Sequence, residues 1–352
     1  MTRGLSEADR ALSELAGLAR TLPNPHLLIG PFIRREAVLS SRIEGTRTAL
    51  SDLFFFEAAD AAPPHENSPP LHDVKEVFNY VKALEYGLRR LDELPLCLRL
   101  IREMHAILME GVRGEHSTPG EFRKTQNWIG PAGCVLMDAT FVPPPVPDLG
   151  PALDQLEKYL HADKAFPPLL WIAMVHYQFE AIHPFPDGNG RIGRLLISLL
   201  LGHESLLSAP LLYLSAFFEK NRDEYYQRLI SVSRNGDWPG WLQFFLEGVA
   251  TQARDAVWRS GALLGLWREH RRRFQSARSS ALLLQLIDRL FAALFITVPQ
   301  AARILEITPR SAGKHIERLV GEGILVETTG RERYRVYAAP EILKVIEGTK
   351  DE

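Results

Sequence analysis

The sequence predicts a mostly helical protein with one short β excursion and a small mixed unit near its C-terminal end. Three observations lead there. Apolar residues recur at helical spacing over 73–91, at Val74, Val77, Tyr80, Val81, Leu84 and Leu88. Residues 114–147 break that rhythm with Gly, Pro and Thr between short extended runs and end in PPPVP. Residues 280–345 then read as three helices followed by two strands.

Taken in order, residues 6–20 form an amphipathic helix stopped by Pro23 and Pro25. Residues 31–45 form a second, with Gly45 as its stop. Ala61–Pro70 is a loop by composition. Pro95 opens a helix that runs to about Met109. After the β excursion, helices return at about 148–162, 168–182, 189–202, 222–234 and 240–268. The run Arg271–Arg273 reads as a linker or a helix end. The expected organisation is an N-terminal helical region over 1–110, a core over 111–268 and a separate unit over 276–352 that folds alone.

The 352 residues carry a formal net charge of -2, with 46% apolar and 24% charged residues, the balance of an ordinary globular protein. That excludes a basic nucleic-acid coat, although a local basic face remains open. Cys97 and Cys134 lack CxxC spacing and read as free thiols in a reducing compartment. The first residues carry no apolar signal core, and apolar runs such as Leu195–Leu201 fall well short of the roughly 20 residues a bilayer demands. The expectation is a cytoplasmic protein with no membrane contact; a homodimer is compatible with the sequence.

The densest chemistry lies in HPFPDGNGRIGR, residues 183–194. A helical run (LLWIAMVHYQFEAI) enters it and an apolar helix leaves it, so a glycine loop caps a helix N-terminus. Unpaired backbone N–H groups and the helix dipole favour an anion there, and phosphate is the natural guest. Arg191 and Arg194, three apart, share a helix face and offer two guanidinium forks. Asp187 suits a hard cation beside phosphates, and Asn189 can donate to a phosphate oxygen. His183, with an ordinary pKa of about 6.5, suits a general base. Gly188, Gly190 and Gly193 match GxGxxG formally, but no buried strand precedes them, so a dinucleotide fold is excluded, and there is no GK[ST] for a P-loop.

This order of residues resembles the Fic family motif HxFx(D/E)GNGRxxR at every defined position: His183, Phe185, Asp187, Gly188, Asn189, Gly190, Arg191 and Arg194. The likeness covers roughly residues 30–250 and implies a Fic helical core with a β-hairpin flap. It implies that His183 deprotonates a target hydroxyl and that Phe185 packs under the loop. Asp187 would bind Mg2+. Gly188, Asn189 and Gly190 would contact ATP phosphates, Arg191 the β-phosphate and Arg194 the γ-phosphate. The implied activity is transfer of AMP from ATP to a protein hydroxyl, the target being unidentified.

Two further segments fit the resemblance. Ser40 and Glu44, in SSRIEG, are similar to the family's inhibitory motif (S/T)xxxE(G/N), whose glutamate pairs with the second arginine of the loop, here Arg194. GEFRKTQNWIG over 120–130 is similar to the family's flap, spanning about 118–145. Gln126, Asn127, Trp128 and Ile129 would hold the target segment by strand addition. His176 reads as a packed core histidine, as do Trp238 and Trp241 as core aromatics. Tyr225 and Tyr226 fit either core packing or contact with a base or target. His203 and Glu204 lack HExxH spacing.

At the C-terminal end, Val298–Leu305 reads as a helix. Thr308 is the N-cap and Pro309 the first residue of the next, about 309–320. Ile324–Thr328 and Arg333–Tyr337 read as strands. The pattern resembles a winged helix-turn-helix, with Arg310, Lys314, His315 and Arg318 on the candidate recognition helix and Arg331, Arg333 and Arg335 on the wing. Duplex DNA and a protein surface are both open as its partner. Two alternatives to AMP transfer stand beside it: removal of AMP from modified protein, and a DNA-binding regulator that keeps the Fic core as a nucleotide sensor. Transfer of another nucleotide or phosphate-bearing group also fits the loop.

Overall fold

Residues whose apolar side chains surround a helix on every face can only sit inside other helices, and two such helices form the centre of this molecule. The structure is a computed structural model that describes residues 1–21, 26–59, 68–112, 118–131, 133–275 and 280–348. The central pair is α7 (Pro168–Ile182) and α8 (Asn189–His203), both apolar almost all round and packed on each other. Around them lie α1 (Thr2–Thr21), α2 (His26–Ile43), α3 (Leu50–Ala59), α4 (Leu71–Arg90), α5 (Leu98–Leu108) and α6 (Val146–His161). The chain then continues through α9 (Ser215–Lys220), α10 (Arg222–Asn235) and the long α11 (Trp238–Phe274), along which α1 lies. The Trp241 indole donates to the Ala173 carbonyl at 2.9 Å and ties α11 to α7, so the expected core role of Trp241 holds.

The C-terminal unit runs α12 (Ser280–Ala292), β1 (Phe295–Thr297), α13 (Val298–Leu305), α14 (Pro309–Gly321), β2 (Val326–Glu327), β3 (Val336–Ala338) and α15 (Pro340–Glu347). The three strands are antiparallel in the order β1-β3-β2. Their register pairs Phe295 with Ala338 and Val326 also with Ala338. The helix pair and small antiparallel sheet fit the expected winged helix-turn-helix. Thr308 caps α14 as expected, its side chain accepting from the Ser311 N–H. Thr297 forms a full capping box with Gln300 at the start of α13.

Several elements differ from the sequence expectation. Helix α3 carries the run LFFF, apolar without a period, and so gave no helical signal. The short α9, the three-residue β1 and α15 also escaped it. Helix α11 continues past the expected 268 to Phe274, so Arg271–Arg273 form its last turn, the helix-end alternative and not the linker. Arg271 pairs there with Asp288 at 2.6 Å, and Arg273 pairs with Glu269. The flap has a single antiparallel bridge, Ile129 with Phe141, in place of a hairpin ladder. Pro131 and Pro143–Pro145 bring no N–H to a ladder, and a 3-10 turn over Leu136–Asp138 closes the tip. The expected stops at Pro23 and Pro25 and most of the expected loop, residues 61–67, lie outside the described residues.

The C-terminal unit is seated on the N-terminal helices. The rings of Phe54 and Phe295 stack at 6.2 Å, and Arg259 of α11 donates to the carbonyls of Val345 and Ile346. A close backbone approach lies at Gly30 of α2, where a Cβ would stand 2.8 Å from the Ala292 carbonyl oxygen at the end of α12. Only glycine fits that contact. Gly30→Val is therefore expected to part α2 from α12 at a cost of roughly 1–3 kcal/mol. Thermal melting of the full chain checks this; an unchanged midpoint would show that the approach is not sterically limiting.

Candidate active site

The residue before a proline is pushed away from helical geometry, and His183 precedes Pro184 at the end of α7. His183 adopts the left-handed conformation, φ 49° and ψ 60°, and its N–H closes the helix on the Phe179 carbonyl at 3.0 Å. The chain then turns through 184–188 and enters α8 with Gly188 as N-cap, φ 77°. His183, Asp187 and the first turn of α8 thus face one another across a five-residue turn. The first N–H groups of α8 have no partner within the helix and point out of its end.

The loop is braced from inside. Phe185 is fully buried as expected, and its ring stacks on His105 with centroids 3.8 Å apart and planes within 4°. The Asn189 amide turns back on the loop: its Oδ1 accepts from the Phe185 N–H at 2.7 Å and its Nδ2 donates to the Phe185 carbonyl at 2.7 Å. Its side chain therefore shapes the turn through both its oxygen and its nitrogen. The Asp187 carboxylate is 54% exposed and accepts from the Gly188 N–H. Among the described residues no group of three or more His, Cys, Asp or Glu side chains forms a metal cage.

Both arginines of the loop are buried and both are held by carboxylates from other helices. Arg194 donates from Nε to Ser40 Oγ at 2.8 Å. Its Nη2 donates to the Ser40 carbonyl at 3.0 Å and to Glu44 Oε1 at 2.6 Å. Glu44 stands one residue past the end of α2, in a turn that Gly45 completes at φ 101°. The expected convergence of Ser40 and Glu44 on Arg194 is present, although Glu44 reaches it from the turn and not from a helix face. Desolvation raises the Glu44 carboxyl, but the Arg194 guanidinium outweighs it and holds the group below the usual carboxylate range. A Cβ at Gly190 would overlap Glu44 Oε1, so the glycine is what admits the glutamate. Arg191 pairs with Glu76 of α4 at 3.2 Å and stands 3.9 Å from Asp187.

Burial favours the neutral form of His183 and His176 beside the loop. Burial pushes His183 down to about 4, and its Nδ1 is buried with no hydrogen-bond partner. His176 is a core residue, as expected. It bonds the Gly193 carbonyl through Nδ1 and the Tyr225 hydroxyl through Nε2, and burial lowers it to about 3. Tyr225 is buried with it, whereas Tyr226 lines a cavity of about 420 Å³. Glu180 and Ala181, just before His183, form one wall of that cavity, with Ile129 and Phe141 of the flap and Tyr177, Arg222 and Ile230 around it.

The flap residues divide. Asn127 donates to the Phe185 carbonyl at 3.0 Å, and Gln126 to the Pro143 carbonyl at 3.1 Å, so both hold the flap to the loop. Trp128 and Ile129 are exposed at 40% and 37%. Three further residues assigned no role from sequence anchor the site. Arg123 is buried and donates to the carbonyls of His183 and Pro144. His105 accepts from the Gly120 N–H and so donates its Nε2–H to the Asp187 carbonyl, linking flap to loop. Glu76 holds Arg191. Each is a polar residue inside an apolar helix or a short motif, and only that mismatch with its surroundings marked it.

Residues 2–89 match the model of the Fic/DOC family N-terminal region, and residues 95–201 match the Fic/DOC family model. The chain belongs to the Fic/DOC family. The Fic motif residues His183 to Arg194 fall within the second match. A protein of Culex quinquefasciatus named protein adenylyltransferase Fic is 32% identical over 130 residues, 36% of this chain and 23% of that protein. A Drosophila grimshawi protein of the same name is 28% identical over 175 residues, 49% of this chain and 32% of that one. This Fic chain therefore aligns with a third or less of these curated relatives. A Fic family protein from Desulfovibrio desulfuricans G20 has the same fold at 19% identity, with a TM-score of 0.62 over 96% of both chains. A Fic domain containing signaling protein from Bacteroides thetaiotaomicron aligns with a TM-score of 0.58 at 20% identity over 72% of this chain and 95% of its own.

Arg194→Ala is expected to lower stability by about 3 kcal/mol, because it strips partners from Ser40 and Glu44 and breaks a largely buried ion pair. The urea midpoint of the full chain reads this. A loss below the uncertainty of the fit would mean that Glu44 is fully solvated without Arg194.

Proposed function

We propose that this Fic protein transfers AMP from ATP to a hydroxyl of a target protein and that Glu44 restrains it. One observation carries the proposal: two buried guanidinium groups flank the open N-terminus of α8, each neutralised by a carboxylate brought from another helix. A helix end with two such forks is built for a chain of phosphates, and Glu44 stands where one phosphate oxygen would be gripped. The adjoining cavity of about 420 Å³, with Tyr226 and Tyr177 in its wall, has the size and aromatic character for a nucleoside.

In the proposed reaction the neutral His183 imidazole takes the proton of the target hydroxyl. The hydroxyl oxygen then bonds to the α-phosphorus, the bond from that phosphorus to the bridging oxygen breaks, and pyrophosphate leaves. Backbone N–H groups at Gly188–Gly190 and the Arg191 and Arg194 forks stabilise the charge that builds on the phosphates. The Asp187 carboxylate, exposed and beside Arg191, fits Mg2+, which commonly takes one or two carboxylates and completes its shell with phosphate and water. Bound there, the ion would neutralise phosphate charge. Trp128 and Ile129, exposed beside the Ile129–Phe141 bridge, offer an edge to an extended target segment.

The test is labelled ATP with Mg2+ and cell lysate. Glu44→Gly is expected to raise AMP transfer, self-modification included, because Arg194 is freed for phosphate. Arg194→Ala is expected to be inactive, and the double variant to match it, the non-additivity of two residues acting through one contact. If Glu44→Gly instead lowers transfer and melting temperature together, the glutamate is structural. If Glu44→Gly abolishes hydrolysis of AMP-modified target by the parent chain, removal of AMP is the activity.

The pH profile separates a buried base from an ordinary one. His183 is depressed to about 4 by burial, so its base form persists as the pH falls. The rate kcat/KM should stay level from about pH 8 to pH 5.5 and drop only below that. Half-loss near the ordinary histidine value of about 6.5 would contradict a desolvated base. His183→Ala should lose about 10²–10⁴-fold in turnover while retaining ATP binding by calorimetry.

A further inference from the structure

We infer that the chain binds duplex DNA through the outer face of α14 and the wing between β2 and β3. The inference rests on the C-terminal unit alone and is independent of the chemistry at His183.

Helix α13 turns into α14 through Glu306 in the left-handed conformation, φ 55°, the tight corner of a helix-turn-helix. Helix α14 buries Ala312, Ile316 and Leu319 against the unit. Its opposite face carries Arg310, Lys314 and Glu317, at positions one and two turns apart, all exposed. The wing is ordered and not a loose tail. The Glu327 carboxylate accepts from the N–H groups of Thr329 and Gly330, and Arg335 Nε donates to the Arg331 carbonyl at 2.8 Å. That scaffold exposes Arg331 and Arg333 and leaves Tyr334 87% exposed, in the left-handed conformation at φ 58°.

Among the described residues, Arg310, Lys314, Arg331 and Arg333 have no carboxylate partner. Some exposed arginines elsewhere, such as Arg3, Arg99 and Arg228, pair with a glutamate one turn away, while others such as Arg10 and Arg89 stand exposed as these do. The acids on the same elements are Glu306, Glu317, Glu322 and Glu332, while Glu327 is used inside the wing. Cations left unpaired on a chain of net charge -2 call for an anionic partner.

Geometry chooses the duplex. A bare helix about 10–12 Å across fits the major groove of B-form DNA but not the deep, narrow major groove of RNA. Arg310 and Lys314 can donate to guanine O6 and N7, and Glu317 can accept from cytosine N4. The wing arginines would meet the flanking phosphates. The exposed face of α14 from Arg310 to Arg318 is polar and charged, with Val320 the exposed apolar residue at its C-terminal end.

The test is fluorescence anisotropy of the full chain with a labelled 30-base-pair random-sequence duplex at 50–200 mM salt. Binding is expected to weaken steeply as salt rises, by about 0.9 in log–log slope for each phosphate contact. Lys314→Glu and Arg331→Glu should each weaken binding at least tenfold and flatten that slope, while Arg3→Glu should leave both unchanged. Should a charge reversal unfold the unit, seen by circular dichroism, Arg331→Ala and Arg333→Ala at the solvent-exposed wing serve instead with a smaller loss. No retention of the duplex at 50 mM salt, or affinity indifferent to all these variants, would overturn the inference, whatever the chain does with ATP.

Discussion

A guanidinium cannot be buried without partners, because the loss of hydration costs far more than a single contact returns. Arg194 is buried on α8, within the central pair of helices. The burial requires acceptors from outside α8, and Ser40 and Glu44 supply them. The position of α2 over the loop follows from that demand. So does the glycine at 190, since any side chain there would displace the carboxylate that Arg194 needs. Under the proposed function, the Glu44 contact and a phosphate grip would be one constraint seen twice: whichever anion is present, Arg194 must hold one.

The support for that contact extends well beyond it. Glu36, one turn before Ser40 on α2, is buried and accepts from the Tyr80 hydroxyl of α4 and from both the hydroxyl and the N–H of Ser215 at the start of α9. Burial raises its carboxyl, and the Ser215 donors offset part of that cost. Helix α2 is thus pinned by polar contacts on the catalytic side and by α12 and α15 on the other. An element fixed from two sides holds Glu44 in place without needing a strong individual bond, which suits a contact that a nucleotide must displace.

The loop itself is held by groups that never meet an anion. Asn189 fastens Phe185, Phe185 stacks on His105, His105 links Gly120 to Asp187, and Arg123 gathers the carbonyls on either side of the flap. These are buried, satisfied polar groups, and their value is geometric: they keep the N–H groups of α8 and the His183 imidazole in fixed relation before any ligand arrives. The flap is tied to the loop through the same bonds.

The sequence by itself determined the family through the motif at residues 183–194, the convergence expected of Ser40 and Glu44 on Arg194, the helix caps at Thr308 and Gly45, and the class of most helices. Those features are local or carry a long mixed motif, and local pattern is what residue order records. It did not determine the apolar α3, the extent of α11 through Arg271–Arg273, or the single-bridge form of the flap, because continuous apolar runs and proline-rich turns have no period to read. Nor did it reveal Glu76 beside Arg191 or His105 beneath Asp187. Those pairings join residues 115 and 82 positions apart. Only packing brings them together, and burial, which decides that each charge must find a partner, is a property of the folded chain alone.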